Sequence, residues 1–240
     1  MSGAFQTVKP NTTANGAFRF NRLLGAVAWS LLLGLTTPSI AGMVWTARAI
    51  DPSLISAIKS DNQLLRETLF GEPPKAFTEK LKREGHVEFT AKENQELMNE
   101  LRAWAEQRKA EVGDTEVDLD KAWHGIHYLL TGSAEPNGTL ASKVIFGGED
   151  IGPDQGYGPA QLVKADQVKA IAQLLEQTTP DMLRERFKPK EMTRTDIYPS
   201  VIWERDGGEA LDYVLDAYKK LVAFYKRAAE RGQAVIFAIS

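Results

Sequence analysis

The stretch Val117-Asp118-Leu119-Asp120-Lys121-Ala122-Trp123-His124-Gly125-Ile126-His127-Tyr128-Leu129-Leu130-Thr131-Gly132 is the one from which the rest of the chain can be read. It holds two of the three histidines and one of the five tryptophans. Asp118 or Asp120 can accept from the free amides of a first helical turn and oppose the positive end of the helix dipole. Gly132 can adopt the left-handed conformation that ends a helix. The spacing predicts a capped helix of about three turns. Trp123, Ile126, His127 and Leu130 share one face, while His124 and Tyr128 lie on a neighbouring one, so the helix is expected to be buried on two sides. Two histidines three apart can in principle bind a metal, but neither His-Glu-x-x-His nor a carboxylate at helical spacing accompanies them. No metal site is therefore expected. On the plainer reading His127 fills a polar gap in the core and His124 lines a surface groove.

Other segments follow this helix in a recurring order: Ile145-Phe146-Gly147-Gly148, Gly156-Tyr157-Gly158-Pro159-Ala160, Ile197-Tyr198-Pro199 with Trp203, and a long aromatic helix running to Ala234-Val235-Ile236-Phe237. Gly42-Met43, an apolar strand and a helix come before it. Together these resemble the YfbM-like family (DUF1877), a bacterial domain of unknown function. The resemblance runs from Gly42 to the C-terminus, with a charged helical insertion at about 72–116. It implies an α+β class, a single compact mixed domain with no established activity, and it supplies no catalytic residues to carry over.

With 240 residues, 43% hydrophobic and 25% charged, the chain is long enough to bury one sizeable core. Its net charge of −3 and pI of about 5.8 do not favour nucleic acid as a partner. The absence of cysteine removes disulfides, thiolate nucleophiles and cysteine-ligated metal centres together.

Residues 1–17 are polar and without periodicity, which is the composition of a disordered leader. Arg19 and Arg22 then precede an uncharged apolar run, Leu23 to Leu35, with Ser39-Ile40-Ala41 before Gly42. A basic lead, an apolar core and small residues at a cleavage position are the parts of a secretory signal peptide. The same run can stay in the bilayer as an anchor, although Gly25, Gly34 and Pro38 weaken it. A third reading is a start assigned too early, with the true start near Met43. Membrane association is expected only through residues 19–41 if they are retained. The protein is accordingly expected to be exported or anchored, or else cytoplasmic if the chain starts near Met43.

Met43 to Ile50 predicts a buried strand, and Asp51-Pro52 opens a helical stretch interrupted at Ser60-Asp61-Asn62 and ended by Gly71 to Pro74. Lys75 to Gly113 predicts two charged amphipathic helices. Thr90 and Glu93 form a capping box there, Leu97, Leu101 and Trp104 one stripe, and His86 lies in the loop. Leu140 to Phe146 is a short apolar element, Ala160 to Val163 a strand, and 165–177 a helix that buries Val168, Ile171, Ala172 and Leu175. Thr179-Pro180 starts a short helix with Met182, Leu183 and Phe187 inward. Arg184, Arg186, Lys188, Lys190 and Arg194 read as a solvated basic face. Ile197 to Trp203 reads as extended, because proline biases its predecessor towards the β region. Glu209 to Arg231 is the longest helix and Ala234 to Ile239 the last strand. That strand should pair with the Met43 to Ile50 strand, so the helices surround a small sheet containing the N- and C-terminal strands of the domain.

The glycine-rich stretch from Gly147 to Pro159 is expected to be a loop that rims a pocket, since glycine permits close backbone approach to a ligand. It lacks a phosphate-loop or dinucleotide fingerprint, and no cofactor is expected. Glu149, Asp150 and Asp154 suit an exposed turn better than a cation site. Two functional classes follow. The first is a non-catalytic binding or interaction module for an unidentified protein or small molecule. Trp123, His124, His127, Tyr128, Gly148, Tyr157, Gly158, Tyr198 and Trp203 would be its site, with Tyr198 and Trp203 placed beside the histidines by the family resemblance. The second is a hydrolase-type enzyme with His124 or His127 as general base beside Asp154 or Glu149. No catalytic motif supports the second, and the catalytic residues are unknown.

Overall fold

In Ala234-Val235-Ile236-Phe237-Ala238 every residue is buried, and alternate residues enter different cores. Val235 and Phe237 belong to one hydrophobic cluster, and Ala234, Ile236 and Ala238 to a second. Successive side chains of a strand point to opposite faces, so a strand with this pattern needs helices on both sides. The computed structural model, which describes residues 42–72 and 91–240, places it at the centre of a sheet. The leader 1–41, His86 and Thr90 of the expected capping box lie outside the described residues, as do the side chains of Glu93, Leu97 and Leu101.

The sheet contains β1 (Trp45–Ile50), β2 (Glu116–Asp118), β3 (Glu149–Asp154), β4 (Pro159–Val163) and β5 (Ala234–Ile239), in the order β2-β1-β5-β4-β3. Every neighbouring pair is antiparallel. The expected pairing of first and last strands is present, in a register from Trp45 opposite Ile239 to Ile50 opposite Ala234.

One face of the sheet is covered by α1 (Ile55–Ser60) and α2 (Asn62–Phe70), through Ile58, Leu65 and Leu69. A short 3-10 turn, Pro52–Leu54, leads into α1. The break between the two helices lies where the polar triplet predicted it. Asp61 takes an extended conformation and accepts from the amides of Gln63 and Leu64, so it caps α2. Gly71, at φ 65°, ends α2.

Of the insertion, α3 (Ala91–Val112) is described. Its root is held largely by charge. The Arg108 guanidinium donates to the Glu67 carbonyl at the end of α2 and lies 3.6 Å from Glu116, which also pairs with Arg48. Just beyond α3, Asp114 accepts both arms of the Arg231 guanidinium.

The other face of the sheet carries the larger core. It is built by α4 (Trp123–Thr131), α5 (Leu140–Phe146), α6 (Ala165–Gln177), α7 (Pro180–Glu185), α8 (Pro189–Arg194), α9 (Ile202–Asp206) and the long α10 (Gly208–Glu230). Helix α6 buries Val168, Ile171, Ala172 and Leu175, the four residues that the periodicity selected. No helix among the described residues is long and apolar enough to cross a membrane.

Four expectations need correction. Helix α4 starts at Trp123 rather than at Asp118, because the chain before it continues the sheet. The Leu119 amide donates to the Trp45 carbonyl, and the Trp45 amide to the Asp120 carbonyl. Asp118 ends β2 and its carboxylate takes the Asp120 amide at 2.6 Å, while Asp120 itself sits at φ 47°. The glycine-rich stretch is the β3–β4 hairpin rather than a loop, with a register shift between Ile151 and Asp154. Ile197 to Trp203 is not extended throughout: a cis Tyr198-Pro199 bond is followed by α9, and Trp203 is fully buried with its indole N–H donating to the Ile197 carbonyl. Leu183 is buried as expected, but Met182 is 39% exposed.

Gly125 lies inside α4 at a crossing where a methyl group does not fit. A Cβ there would stand 2.7 Å from the Trp203 ring and 3.0 Å from a Val214 methyl, and both neighbours are fully buried. Gly125→Ala is expected to destabilise the domain by about 1–3 kcal/mol despite the better helix propensity of alanine. Urea unfolding of the two proteins checks this, and a variant as stable as the parent would mean that the crossing can yield.

Candidate functional site

Trp123 opens α4 and faces the start of the domain. Its indole N–H donates to the Met43 carbonyl at 3.0 Å, and the Met43 amide donates to the Tyr198 hydroxyl at 3.0 Å. Both backbone groups of Met43 are thus taken by side chains before β1 begins. The Trp123 ring stacks on His124 with centroids 4.9 Å apart and on Tyr198 at 5.9 Å. Phe146, at the end of α5, presents its ring edge-on to Trp123, His124 and His127, with the closest centroid, that of His127, at 4.7 Å. Such edge-to-face pairs add about 0.5–1.5 kcal/mol each beyond the area they bury.

The hydrogen bonds of His124 determine its tautomer. The Tyr198 amide donates to Nδ1 at 2.9 Å, so Nδ1 is an acceptor, and Nε2–H donates to the Ala134 carbonyl at 2.9 Å. His127 is fully buried, and its Nε2–H donates to the Glu135 carbonyl at 3.2 Å. Its Nδ1 has no partner among the described residues. Burial lowers both imidazoles below the ordinary histidine range, His127 to about 4. For His124 the Ala134 hydrogen bond and the charges of Glu135 and Asp196 oppose that shift. Each ring is therefore a neutral donor to main chain near pH 7.

The structure brings Trp123, His124, His127 and Tyr198 into one cluster and adds Phe146, which the sequence did not single out. Trp123 and Tyr128 retain 4% and 3% of their surface, so the expected surface of Trp123, His124 and Tyr128 is largely interior. Burial pushes the Tyr128 hydroxyl up, and the charge of Glu191 adds to the effect. Trp203 packs on α4 at Gly125 and lines no open cavity.

Gly148, Tyr157 and Gly158 belong to the hairpin at the far edge of the sheet. Gly148 approaches Gln161 and Leu162, and Tyr157 is 59% exposed in the turn, where Asp154 accepts from the amides of Gly156 and Gly158. Glu149 pairs with Lys59 and Lys164, and the Lys59 ammonium holds its carboxyl below the usual range. The carboxylates named as partners for a histidine base are thus engaged within the hairpin and with its neighbours. Among the described residues no group of three or more metal-ligating side chains comes together.

What the sequence did not reveal is a groove between α5 and α6. It holds about 160 Å³ and is lined by Leu140, Lys143, Gly147, Gly148, Val163, Asp166, Gln167, Ala170 and Ile171. Only Gly147-Gly148 signalled it, as a place where backbone can approach a ligand.

The His127 environment predicts an acid response of definite sign. Above pH 6.5 the ring is neutral in both folded and unfolded chains, and its contribution to stability is fully present. As the pH falls the unfolded chain takes up the proton first. Stability is lost progressively between 6.5 and about 4, and the gap corresponds to about 3 kcal/mol. Urea midpoints at pH 7.5 and 4.5, compared with those of His127→Asn, check this. The difference between the two proteins should shrink on acidification, and equal losses in both would remove His127 as the cause.

Three comparisons with known proteins bear on this geometry. The Escherichia coli (strain K12) protein YfbM is 27% identical over 128 residues, covering 51% of this chain and 75% of YfbM. The crystal structure of Escherichia coli YfbM, itself described as a protein of unknown function, matches with a TM-score of 0.55 at 19% identity, over 83% of this chain and 100% of that one. At that identity the structural likeness concerns the fold. The family model described as Domain of unknown function (DUF1877) matches residues 42–238, from the clamped Met43 backbone to the end of the central strand, and the chain belongs to that family.

Proposed function

We propose that the domain is a non-catalytic binding module whose recognition site is the α5–α6 groove. The observation that carries this reading is how the imidazoles are used. His124 spends both ring nitrogens on backbone groups, and His127 donates its one N–H to backbone from a fully buried position. A general base needs a free nitrogen that can reach the proton of a bound substrate. The groove, by contrast, combines an apolar floor of Val163 and Ile171 with Lys143, Asp166 and Gln167. At about 160 Å³ it is smaller than the about 300–1,000 Å³ typical of sites for drug-sized molecules, so it suits a single side chain or a small group rather than a large ligand. Gly148 is exposed and presents backbone along one wall, with Gly147 buried behind it. A small molecule or an extended segment of a partner protein, carrying an apolar group and a polar end, suits such a lining. Where the domain meets its ligand depends on residues 1–41, and the mass of the native N-terminal peptide, taken from fractionated cells, reports whether they are removed, retained or never made.

The test is a fragment screen read by amide chemical shifts on the full chain, repeated on Ala170→Phe, which fills the groove from α6. Binders should shift the amides of Lys143, Gly147, Gly148 and Ala170, and the effect should vanish in the variant. Binding that survives Ala170→Phe would place the site elsewhere. Turnover of an ester, phosphoester or peptide substrate that is lost in His127→Asn would replace the binding reading with a hydrolytic one.

A further inference from the structure

We propose that His124 and His127 form an acid-released latch, which holds the 133–139 loop and the Tyr198-Pro199 segment against α4 and frees both when the imidazoles are protonated. The two rings stand three residues apart on one helix, and their Nε2–H groups donate to the carbonyls of consecutive residues, Ala134 and Glu135. The loop has little else to hold it there. Residues 135–139 are exposed, and Ala134 is the loop residue that packs on the core. At its root Ser133 exchanges two bonds with the Thr131 hydroxyl at the end of α4, while the bonds of Ser133 to Glu135 and of Asn137 to Ser142 shape the rest of the loop without tying it to the helix. A segment with few apolar contacts opens locally before the domain unfolds.

Protonation acts on the other nitrogen. Nδ1 of His124 accepts from the Tyr198 amide, so a proton placed there sets donor against donor and breaks the link to Tyr198. Nδ1 of His127 has no acceptor among the described residues, and a proton there creates a buried N–H with nothing to bond. The groups facing the pair are few. Glu135 from the loop and Asp196 from the segment before Tyr198 bring negative charge towards His124, and each imidazole opposes charge on the other. Thr131 approaches His127 from the same helix, and Phe146 offers both rings an apolar edge. The attraction of both carboxylates for a charged His124 works against opening, and it is outweighed by the cost of burying the charge, the largest influence on that ring. Opening would uncover the Trp123, Phe146 and Tyr198 rings on one side of the domain.

The experiment is residue-resolved amide exchange of the full chain from pH 7.5 to 4.5, normalised to intrinsic rates. Protection of the Glu135, Asn137 and Tyr198 amides should fall roughly tenfold per pH unit through the titration, while β1 and β5 stay protected. The double variant His124→Asn, His127→Asn should lose that response. Unchanged loop protection, or simultaneous loss in β1 and β5, would overturn the proposal, as would the same response in the double variant. Should the double variant fail to fold, imidazole nitrogen spectra of the parent chain decide, assigned against His86→Gln. Two neutral Nε2–H tautomers at pH 7 that charge with the loop transition support the latch, and an Nδ1–H tautomer at either residue refutes it.

Discussion

The backbone of β5 lies between two neighbouring strands with both faces covered, so its polar groups must be satisfied by β1 and β4. A strand of Ala, Val, Ile and Phe buried in this way contributes about 1.5–3 kcal/mol for each large side chain it removes from water, but only if helices stand on both sides. The architecture follows from that requirement. The smaller face is closed by α1 and α2, two short helices that turn at Asp61. The larger face is closed by α10 and the helices grouped around it. Because β1 and β5 come from opposite ends of the domain, the sheet centre forms only when the whole chain from 45 to 239 is brought together.

Short buried helices create a second demand, since the last four carbonyls of a helix have no partner within it. Here long side chains from elsewhere supply the donors. Arg186 reaches the Leu129 and Leu130 carbonyls of α4, and Trp45 and Tyr225 reach those of Ile145 and Val144 in α5. The Tyr218 hydroxyl serves the end of α6 at Leu175 and Thr178. Burial keeps these hydroxyls protonated, Tyr218 being pushed up to about 12. The aromatic residues thus bury large rings and use their polar tips as fasteners. His124 and His127 do the same for the two residues of the loop after α4, which explains their placement without any appeal to chemistry. They differ from the other fasteners in one respect: a histidine can change its charge between pH 7 and 4, whereas an indole or a raised phenol cannot.

Much of this was legible in the sequence because local signals and tertiary demands agreed. Asp51-Pro52, the polar triplet at 60–62, Thr179-Pro180 and the glycines at 71, 132 and 232 punctuate the chain where its elements end. The unbroken apolar run of Ala234 to Ile239 was legible as a strand, and the helical stripe of 165–177 named its buried residues correctly. What failed did so where a residue has two uses. Asp118 and Asp120 are good caps by type, yet the Trp45 backbone claimed the segment for the sheet. An edge strand such as β3, exposed at five of six positions, has no hydrophobic alternation to reveal it, and its glycines and prolines read as loop. Trp203 and Gly125 fit each other across some 80 positions of sequence, a complementarity that no local window contains. The groove was hidden for a related reason, since its walls come from two helices and its floor from a strand.

The same accounting explains why the most distinctive residues of the central helix meet the first residues of the domain. Gly42 passes so close to its neighbours that a Cβ would stand 2.5 Å from the Tyr198 hydroxyl and 2.6 Å from the Lys121 side chain. Lysine can swing aside, but the tyrosine hydroxyl is engaged by the Met43 amide and its ring lies on Trp123. Trp123 holds the other side of Met43, and His124 holds the Tyr198 amide. Three side chains from two distant segments therefore form one ring of contacts around the entry to β1. Gly42 enters β1 through this slot, and a change in the hold of His124 on Tyr198 would be felt there first.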